Sequence, residues 1–434
     1  MKKIDVVTLG CSKNLVDSES LIKQFEAGGF SVAHDSESPK GDIAIINTCG
    51  FIGDAKEESI ETILNFAEAK KRGEIKKLFV MGCLSERYSK QLKEELPEVD
   101  AIYGKFDWKQ IVEDLGQNYR ADLINERSLT TPGHYAYFKI SEGCNRSCSY
   151  CAIPLITGKH KSKPIEQLIE EAERLADQGV KELQVIAQDL SFYGLDIYKQ
   201  MRLGELVHKI ADVKGIDWVR LHYAYPAGFP YNVLKVMNEH PNVCNYLDIA
   251  LQHISDPMLK TMRRNVSKAE TYKLIERMRK DVPGIHLRTT MITGHPGETE
   301  QDFKEMLAFV KEARFERLGV FPYSHEEDTH AYRNYKDDIP QELKQERADA
   351  IMEIQEQISW EINQEKVGKE MKIIIDRKED DYYVGRTEFD SPEVDPEVLI
   401  PIDENEMEVG KFHQVKITDA EAYDLFGEPV GSQQ

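Results

Sequence analysis

The sequence predicts an α/β chain of three units in series: an open parallel sheet, a partial (β/α) barrel and a small antiparallel β-barrel. Three observations predict it. Short apolar strands alternate with amphipathic helices from the start, and a Thr131-Pro132-Gly133 break separates that series from a second one like it. From about residue 368 the pattern turns to strands divided only by turn residues. A length of 434 residues also exceeds what one ordinary core organises.

In residues 1–130 the strand candidates are Ile4–Leu9, Ile43–Asn47 and Lys77–Met81, with a weaker one near Ala101. Helical runs such as Ser18–Ala27 and Asp54–Lys71 lie between them, the order of a parallel sheet. Residues 131–340 offer six strands: Ala136–Ile140, Glu182–Ile186, Trp218–Leu221, Tyr246–Ile249, Ile285–Met291 and Arg317–Phe321. Residues 341–367 carry a long charged helical pattern with no Gly or Pro, a linker. In 368–434 the strands are Met371–Ile375, Tyr382–Arg386, Val398–Ile402 and Phe412–Thr418. No internal repeat or low-complexity tract is present.

No stretch of about 18 apolar residues exists, so no membrane partner is expected. The start, Met1-Lys2-Lys3-Ile4-Asp5, reads as a strand and lacks a secretory h-region, so the expected location is cytoplasmic. Net charge is −21, and residues 361–434 hold 20 acidic against 8 basic residues, a net of −12. A polyanion reader offers Lys and Arg, so direct nucleic-acid binding by the tail is not expected and a basic partner is.

Seven cysteines are too few for a disulfide scaffold in a chain of this size. Cys144, Cys148 and Cys151 form a C-x3-C-x2-C run just after the first barrel strand, on a loop at the barrel mouth. Three thiolates so spaced hold three irons of a four-iron cluster and leave the fourth open to a small molecule. Structural zinc is the competing reading, but it normally takes four protein ligands, and no second pair follows. Tyr150 places a ring between the last two ligands, where it can pack on a purine. Cys11, Cys49 and Cys83 each lie just past the carboxyl end of a predicted strand. In an open parallel sheet those ends share one edge, where ligands bind, so the three can converge on a second cluster; buried hydrophobic thiols are the alternative. Cys244 has no such context and is assigned no role.

Gln188 and Asp189 follow the second barrel strand, and Gly294, Gly297 and Glu298 follow the fifth. Polar groups and glycines at such ends suit cofactor binding, though turn and capping chemistry uses the same residues. Arg220, His222, Gln252, His253 and Arg288 also sit on or near strand ends, with structural roles as the default. His325 and His330 beside Glu326-Glu327-Asp328 read as a solvated loop rather than a metal site.

With these motifs the chain resembles the methylthiotransferase family of radical S-adenosylmethionine (SAM) enzymes along nearly its whole length. The resemblance implies that Cys144, Cys148 and Cys151 hold the 4Fe-4S cluster that binds SAM and cleaves it to a 5′-deoxyadenosyl radical. It implies that Cys11, Cys49 and Cys83 hold an auxiliary 4Fe-4S cluster used in sulfur delivery. The tail, with Gly385-Arg386-Thr387 and Ser391-Pro392-Glu393-Val394-Asp395, looks like the family's TRAM domain. Of two branches, one modifies a tRNA adenosine and the other the β-carbon of an aspartate in ribosomal protein S12. Gly10-Cys11-Ser12-Lys13-Asn14, Cys151-Ala152-Ile153-Pro154 and Tyr246-Leu247-Asp248-Ile249-Ala250-Leu251-Gln252-His253 look like the second branch. Lys163, His295, His325 and Asp328 depart from that pattern without touching the thiols. The implied partners are protein S12, free or in the small ribosomal subunit, an electron donor such as flavodoxin or ferredoxin, and a sulfur source. SAM would serve twice, as methyl donor and as radical source. A non-catalytic iron–sulfur assembly or electron-transfer protein is the alternative of another class, and SAM cleavage separates it from both branches.

Overall fold

The computed structural model describes residues 2–36, 39, 41–402 and 406–431. Its first sheet is wholly parallel and holds β1 (Lys3–Thr8), β2 (Ser31–His34), β3 (Ile43–Thr48), β4 (Lys77–Gly82) and β5 (Ala101–Ile102) in the order β2-β1-β3-β4-β5. β3 is buried throughout because helices cover both faces. Leu21, Ile22 and Phe25 of α1 (Ser12–Ala27) pack on Ile4, Val6 and Ile45. Ile63 and Phe66 of α2 (Gly53–Lys71) and Leu84 and Leu92 of α3 (Cys83–Glu95) pack on Ala44, Ile46 and Val80 of the other face. The strand order turns between β1 and β3, so the carboxyl ends there open a crevice. β2 escaped the sequence reading because its four residues are only partly buried and carry no apolar alternation.

The second sheet is a six-stranded parallel half-barrel with neighbours in chain order. Its strands are β6 (Tyr135–Lys139), then, past the short antiparallel pair β7 (Ser141–Glu142) and β8 (Lys161–Ser162), β9 (Glu182–Ile186), β10 (Trp218–Ala224), β11 (Val243–Ile249), β12 (His286–Thr293) and β13 (Arg317–Pro322). Phe138, Leu183, Val185, Leu221, Leu247 and Leu287 pack beneath the helices. Alternate residues, among them Gln184, Arg220, His222 and Asp248, are buried on the opposite face. That polar inner wall is the feature a partial barrel adds to an ordinary apolar sheet. Cys244 lies within β11 and is buried with Trp218, Tyr246 and Ile374, a packing role.

The linker helix spans Gln341–Gln364, and the chain then enters a closed barrel. Its strands are β14 (Glu370–Glu379), β15 (Tyr382–Thr387), β16 (Glu397–Pro401), β17 (Phe412–Ala420) and β18 (Asp424–Pro429). One feature corrects the antiparallel expectation: β16 and β18 pair in parallel, and β18 was not foreseen. Ile373, Ile375, Val398, Ile400, Val415 and Leu425 fill the barrel.

Buried charge fastens this barrel to the half-barrel. Arg386 meets Glu182 at 2.7 Å and Asp376 at 2.5 Å, and Glu182 also holds Arg220 at 2.8 Å. Arg317 meets Asp390 at 2.5 Å, and the Tyr246 hydroxyl donates to Asp395 at 2.8 Å. Burial opposes its ionisation, yet Arg386 and Arg220 hold the Glu182 carboxyl below the usual range. Part of the tail's acidic excess is thereby consumed inside the molecule. The His325–Asp328 loop also differs from the solvated expectation: Glu326 is buried and takes Lys56 at 2.9 Å and Arg87 at 3.0 Å, joining the half-barrel to the first sheet.

Candidate active site

Cys11 caps α1 after β1, Cys49 follows β3, and Cys83 opens α3 after β4. Parallel pairing brings these three ends to one edge, as the spacing implied. The Gly10 and Cys49 backbones lie so close that a Cβ on Gly10 would stand 2.7 Å from the Cys49 Sγ, and Gly10 has φ +88. Only glycine suits both conditions. Burial pushes the Cys83 thiol up to about 12, and Cys11 and Cys49 add to the rise as neighbouring thiols. Cys83 Sγ donates to Asn14 Oδ1 at 3.4 Å, and Asn14 Nδ2 ties the ends of β1 and β3 through Leu9 O and Thr48 O, each at 3.1 Å.

The second thiol group lies on the loop between β7 and β8. Ser149 fastens it: its N–H donates to Met262 O at 3.0 Å, its carbonyl accepts from Ala331 N at 2.7 Å, and its hydroxyl meets His295 Nε2 at 3.0 Å. Burial lowers His295 to about 4, so the ring is neutral at pH 7. Arg264 Nη1 donates to Cys148 Sγ at 3.1 Å and to the Tyr150 hydroxyl at 3.0 Å. The Arg146 N–H reaches Cys144 Sγ at 3.4 Å, while its guanidinium pairs with Asp189 at 2.7 Å and lies over the Tyr225 ring. Burial pushes the Cys144 thiol up to about 11.

Cys83 shares one buried cluster with Ala152, the residue after Cys151, and with Ile156 of the same segment, so the first sheet packs against the loop that carries the second thiol group. Between them lies a charged network. Lys105 reaches Asp17 at 2.6 Å, Lys139 pairs with the same Asp17 and meets Glu142 at 2.8 Å, and Gln188 donates to Glu142. Burial resists it, but Lys139 and Lys105 keep the Glu142 carboxyl low.

Two sets of soft thiol donors, each with N–H or Nζ–H groups directed at or beside sulfur, suit iron–sulfur clusters, whose potential is set by such hydrogen bonds. Among the described residues, no three His, Cys, Asp or Glu side chains converge tightly enough for a single metal ion. Tyr150, Gln188 and Asp189 stand at the mouth with the thiols. Gly294 and Glu298 serve the scaffold as well. A Cβ on Gly294 would meet Lys344 Cγ at 2.1 Å, and Glu298 takes Arg347 at 2.7 Å and the Gly294 N–H at 2.9 Å. Around Gly297 the space is open, with φ +86. Gly294→Ala is therefore expected to lower stability by about 2 kcal/mol or more, through both the strained φ and the clash with the buried Lys344. Denaturant unfolding measures it, and a loss under about 0.5 kcal/mol would refute that reason for the glycine.

Arg220 and Arg288, candidates by sequence, are turned toward the C-terminal barrel instead: Arg220 donates to Glu388 O, and Arg288 pairs with Asp395. His253 Nδ1 accepts from the Ile254 and Ser255 N–H groups, a local structural role. Arg264, Lys105 and Asp17 were missed. They lie outside the cysteine motif, with no periodic signal to mark them.

A family model described as uncharacterized protein family UPF0004 matches residues 3–104, the radical SAM superfamily model matches 138–310, and the TRAM domain model matches 367–430. Half-barrel, thiol loop and superfamily match define a radical SAM enzyme, which takes an iron–sulfur cluster and SAM. A ribosomal protein uS12 methylthiotransferase RimO from Bacteroides thetaiotaomicron is 63% identical over 98% of both chains. That of Christiangramia forsetii is 56% identical, covering 99% of this chain and 94% of the relative. The chain belongs to this family, the RimO-type radical SAM methylthiotransferases. Solved structures share the fold alone. The radical SAM methyltransferase TsrM of Kitasatospora setae, with cobalamin and a 4Fe-4S cluster bound, has TM-score 0.53 at 12% identity, covering 74% of this chain and 75% of that one. The cobalamin-dependent enzyme OxsB with SAM bound has TM-score 0.54 at 11% identity, covering 81% and 56%. No helix among the described residues is long and apolar enough to cross a membrane.

Proposed function

We propose that this chain attaches a methylthio group to the β-carbon of an aspartate in ribosomal protein S12, free or in the small ribosomal subunit. Cys144, Cys148 and Cys151 would hold the SAM-binding 4Fe-4S cluster, and Cys11, Cys49 and Cys83 a second one. The observation that carries this reading is the packing of Cys83, which opens α3 of the first sheet, against Ala152 and Ile156 of the loop that bears the other three thiols. A transfer that needs both a carbon radical and a sulfur source calls for two adjacent centres. When bound, the first cluster and SAM supply a radical able to remove hydrogen from an unactivated carbon.

The chain's own residues position and enclose that chemistry. Arg264 and Arg146 fix the thiol loop and partly neutralise its sulfurs. Tyr150, Gln188, Asp189, Gly294, Gly297 and Glu298 form the SAM side of the mouth. Asn14 and Lys105 serve the second thiol group, and the buried contacts of Lys56 and Arg87 with Glu326 hold the two sheets together to exclude water. The division of labour follows residues 1–130 for the second cluster, 131–340 for radical generation, 341–367 as linker and 368–434 as docking barrel. An electron donor of the flavodoxin or ferredoxin kind, a sulfur source and a cytoplasmic setting complete the proposal. The tRNA reading is not favoured, since the matched relatives are named for the ribosomal protein.

Purified, anaerobically reconstituted enzyme given protein S12 and unmodified tRNA in parallel tests this. Mass spectrometry is expected to find the methylthio group on S12 alone; modification of tRNA and not of S12 overturns the proposal. Removing residues 368–434 is a poor test of docking, because it would strip Arg317 and Arg288 of their carboxylates and Glu182 of Arg386. The exposed carboxylates Asp380, Asp381, Glu406 and Glu408 are better targets. Reversing these four to Lys is expected to raise KM for S12 severalfold and to weaken its salt dependence, as complementary charge acts mainly on encounter. An unchanged KM would leave those carboxylates only a solubility role.

A further inference from the structure

Lys13, Lys105 and Lys139 reach the ground between α1 and the half-barrel, and the last two are fully engaged. Lys105 and Lys139 share Asp17, and Lys139 also holds Glu142. Lys13 forms no ion pair with any of the described residues. Its ammonium lies 3.3 Å from the centroid of the Tyr223 ring, a contact weaker than a carboxylate would give. Tyr223 is itself held at φ 64, a conformation rare for an aromatic residue.

The position of Lys13 is costly for a purely structural residue. It is the second residue of α1, where the helix dipole disfavours a cation, and the first turn contains no acid to offset it. It stands two residues after Cys11, on the side of the crevice that faces the half-barrel wall. Burial dominates both His222 and Asp248 on that wall, lowering the imidazole and raising the carboxyl to about 6; the Lys13 charge adds a little to the first and opposes the second.

The same wall carries a second unsatisfied donor. Gln184 is wholly buried on β9, and its Oε1 meets His222 Nε2 at 2.7 Å, while its Nε2 has no partner among the described residues. A buried amide N–H left unpaired is destabilising unless a ligand oxygen completes it. An ammonium with no ion pair among the described residues, two residues from Cys11, and an unpaired amide N–H on the facing wall are both donors, which favour an oxygen anion over a neutral amide.

We propose that Lys13, with Gln184 Nε2 on the same wall, receives the side-chain carboxylate of the aspartate being modified and selects it over neutral residues. This inference rests on the aspartate-modifying reading above. Lys13 thus acts as a specificity-determining residue at the substrate, separate from the thiols that hold the clusters.

Binding of cluster-loaded enzyme to protein S12 with either aspartate or asparagine at the target position tests it, alongside a methylthiolation assay with unaltered S12. Wild-type enzyme is expected to bind the aspartate form about tenfold or more tightly than the asparagine form. Lys13→Met should bring that ratio to about one by weakening only the aspartate form, and Lys13→Arg should preserve it. Gln184→Glu sets an anion on the wall and is expected to reduce the preference without altering Lys13. Full discrimination in Lys13→Met, or no discrimination in the wild type, overturns the inference. Iron content at the wild-type level identifies folded variants; if Lys13→Met falls short, the wild-type ratio and Gln184→Glu decide. Failure of wild-type enzyme to modify S12 at all is a separate outcome that overturns the proposed reaction, and this inference with it.

Discussion

Reductive SAM cleavage is expected to fall to background in Cys144→Ala, while protein lacking Cys11, Cys49 and Cys83 together retains part of it and forms no methylthiolated product. The division follows from placement. Cys144 lies on the loop that begins the half-barrel mouth, its sulfur accepting the Arg146 N–H at 3.4 Å and its neighbours fixed by Arg264 and Ser149. Loss of one thiolate of three removes a ligand that the cluster needs. The other group belongs to a different sheet, and its loss leaves the radical-generating loop intact. Each change should remove about half of the iron bound by reconstituted wild type, if each group holds a four-iron cluster. Iron and sulfide assays with Mössbauer spectra test the cluster count, and mass spectrometry tests the products. Methylthiolated product from the triple variant would overturn the assignment of roles; unchanged iron in it would overturn the second cluster.

Glu182→Ala is expected to cost about 3–5 kcal/mol of stability, because it leaves the buried Arg220 without a carboxylate and Arg386 with one of its two. Arg220 and Arg386 are both fully buried, at 2.8 and 2.7 Å from the Glu182 carboxylate, with Arg386 arriving from the C-terminal barrel. Asp376 still holds Arg386 in the variant, but Arg220 retains only backbone carbonyl acceptors at Glu388 and Thr387. Glu182→Gln, which keeps the shape and one acceptor, should cost less. Denaturant unfolding measures the loss, and limited proteolysis after the linker helix reports whether the barrel detaches. A loss below about 1 kcal/mol would show that apolar contacts, not this charge cluster, fasten the barrel.

Much of the fold was legible because strand and helix periods follow from local sequence. Glu182–Ile186 was read with its true ends, and most other strands to within a few residues. The exceptions have physical causes. β2 is half-exposed with no alternating pattern, and β18 completes its barrel partly through a parallel pairing with β16, which local sequence does not encode. α1 begins at Ser12 rather than Ser18, with Cys11 at its N-cap position and no side-chain cap there, so no capping signature marks the start.

The acidic tail shows the limit of charge counting. A net of −12 over residues 361–434 is a property of the sequence. Asp376, Asp390 and Asp395 nevertheless point into the molecule, where Arg386, Arg317 and Arg288 receive them. Only the exposed remainder is free to act on a partner. Gly294 makes a similar point: glycine after a strand suggested approach to a ligand, whereas the linker helix is what comes close.

The sequence by itself determined the three-part α/β and β architecture, the C-x3-C-x2-C thiol group and the strand-then-cysteine rhythm of the other three. These are local properties, fixed by spacing along the chain and by the period of each element. The tertiary structure alone decided which distant groups meet. It set Cys83 against Ala152 and Ile156, brought Arg264 to Cys148, and joined Lys105 and Lys139 on Asp17. It also left Lys13 without a carboxylate partner among the described residues, facing a wall that bears a Gln184 amide likewise unpaired among them. Contacts between residues far apart in sequence arise from the packing of whole sheets, whose relative placement depends on every interface at once. No local pattern records that sum.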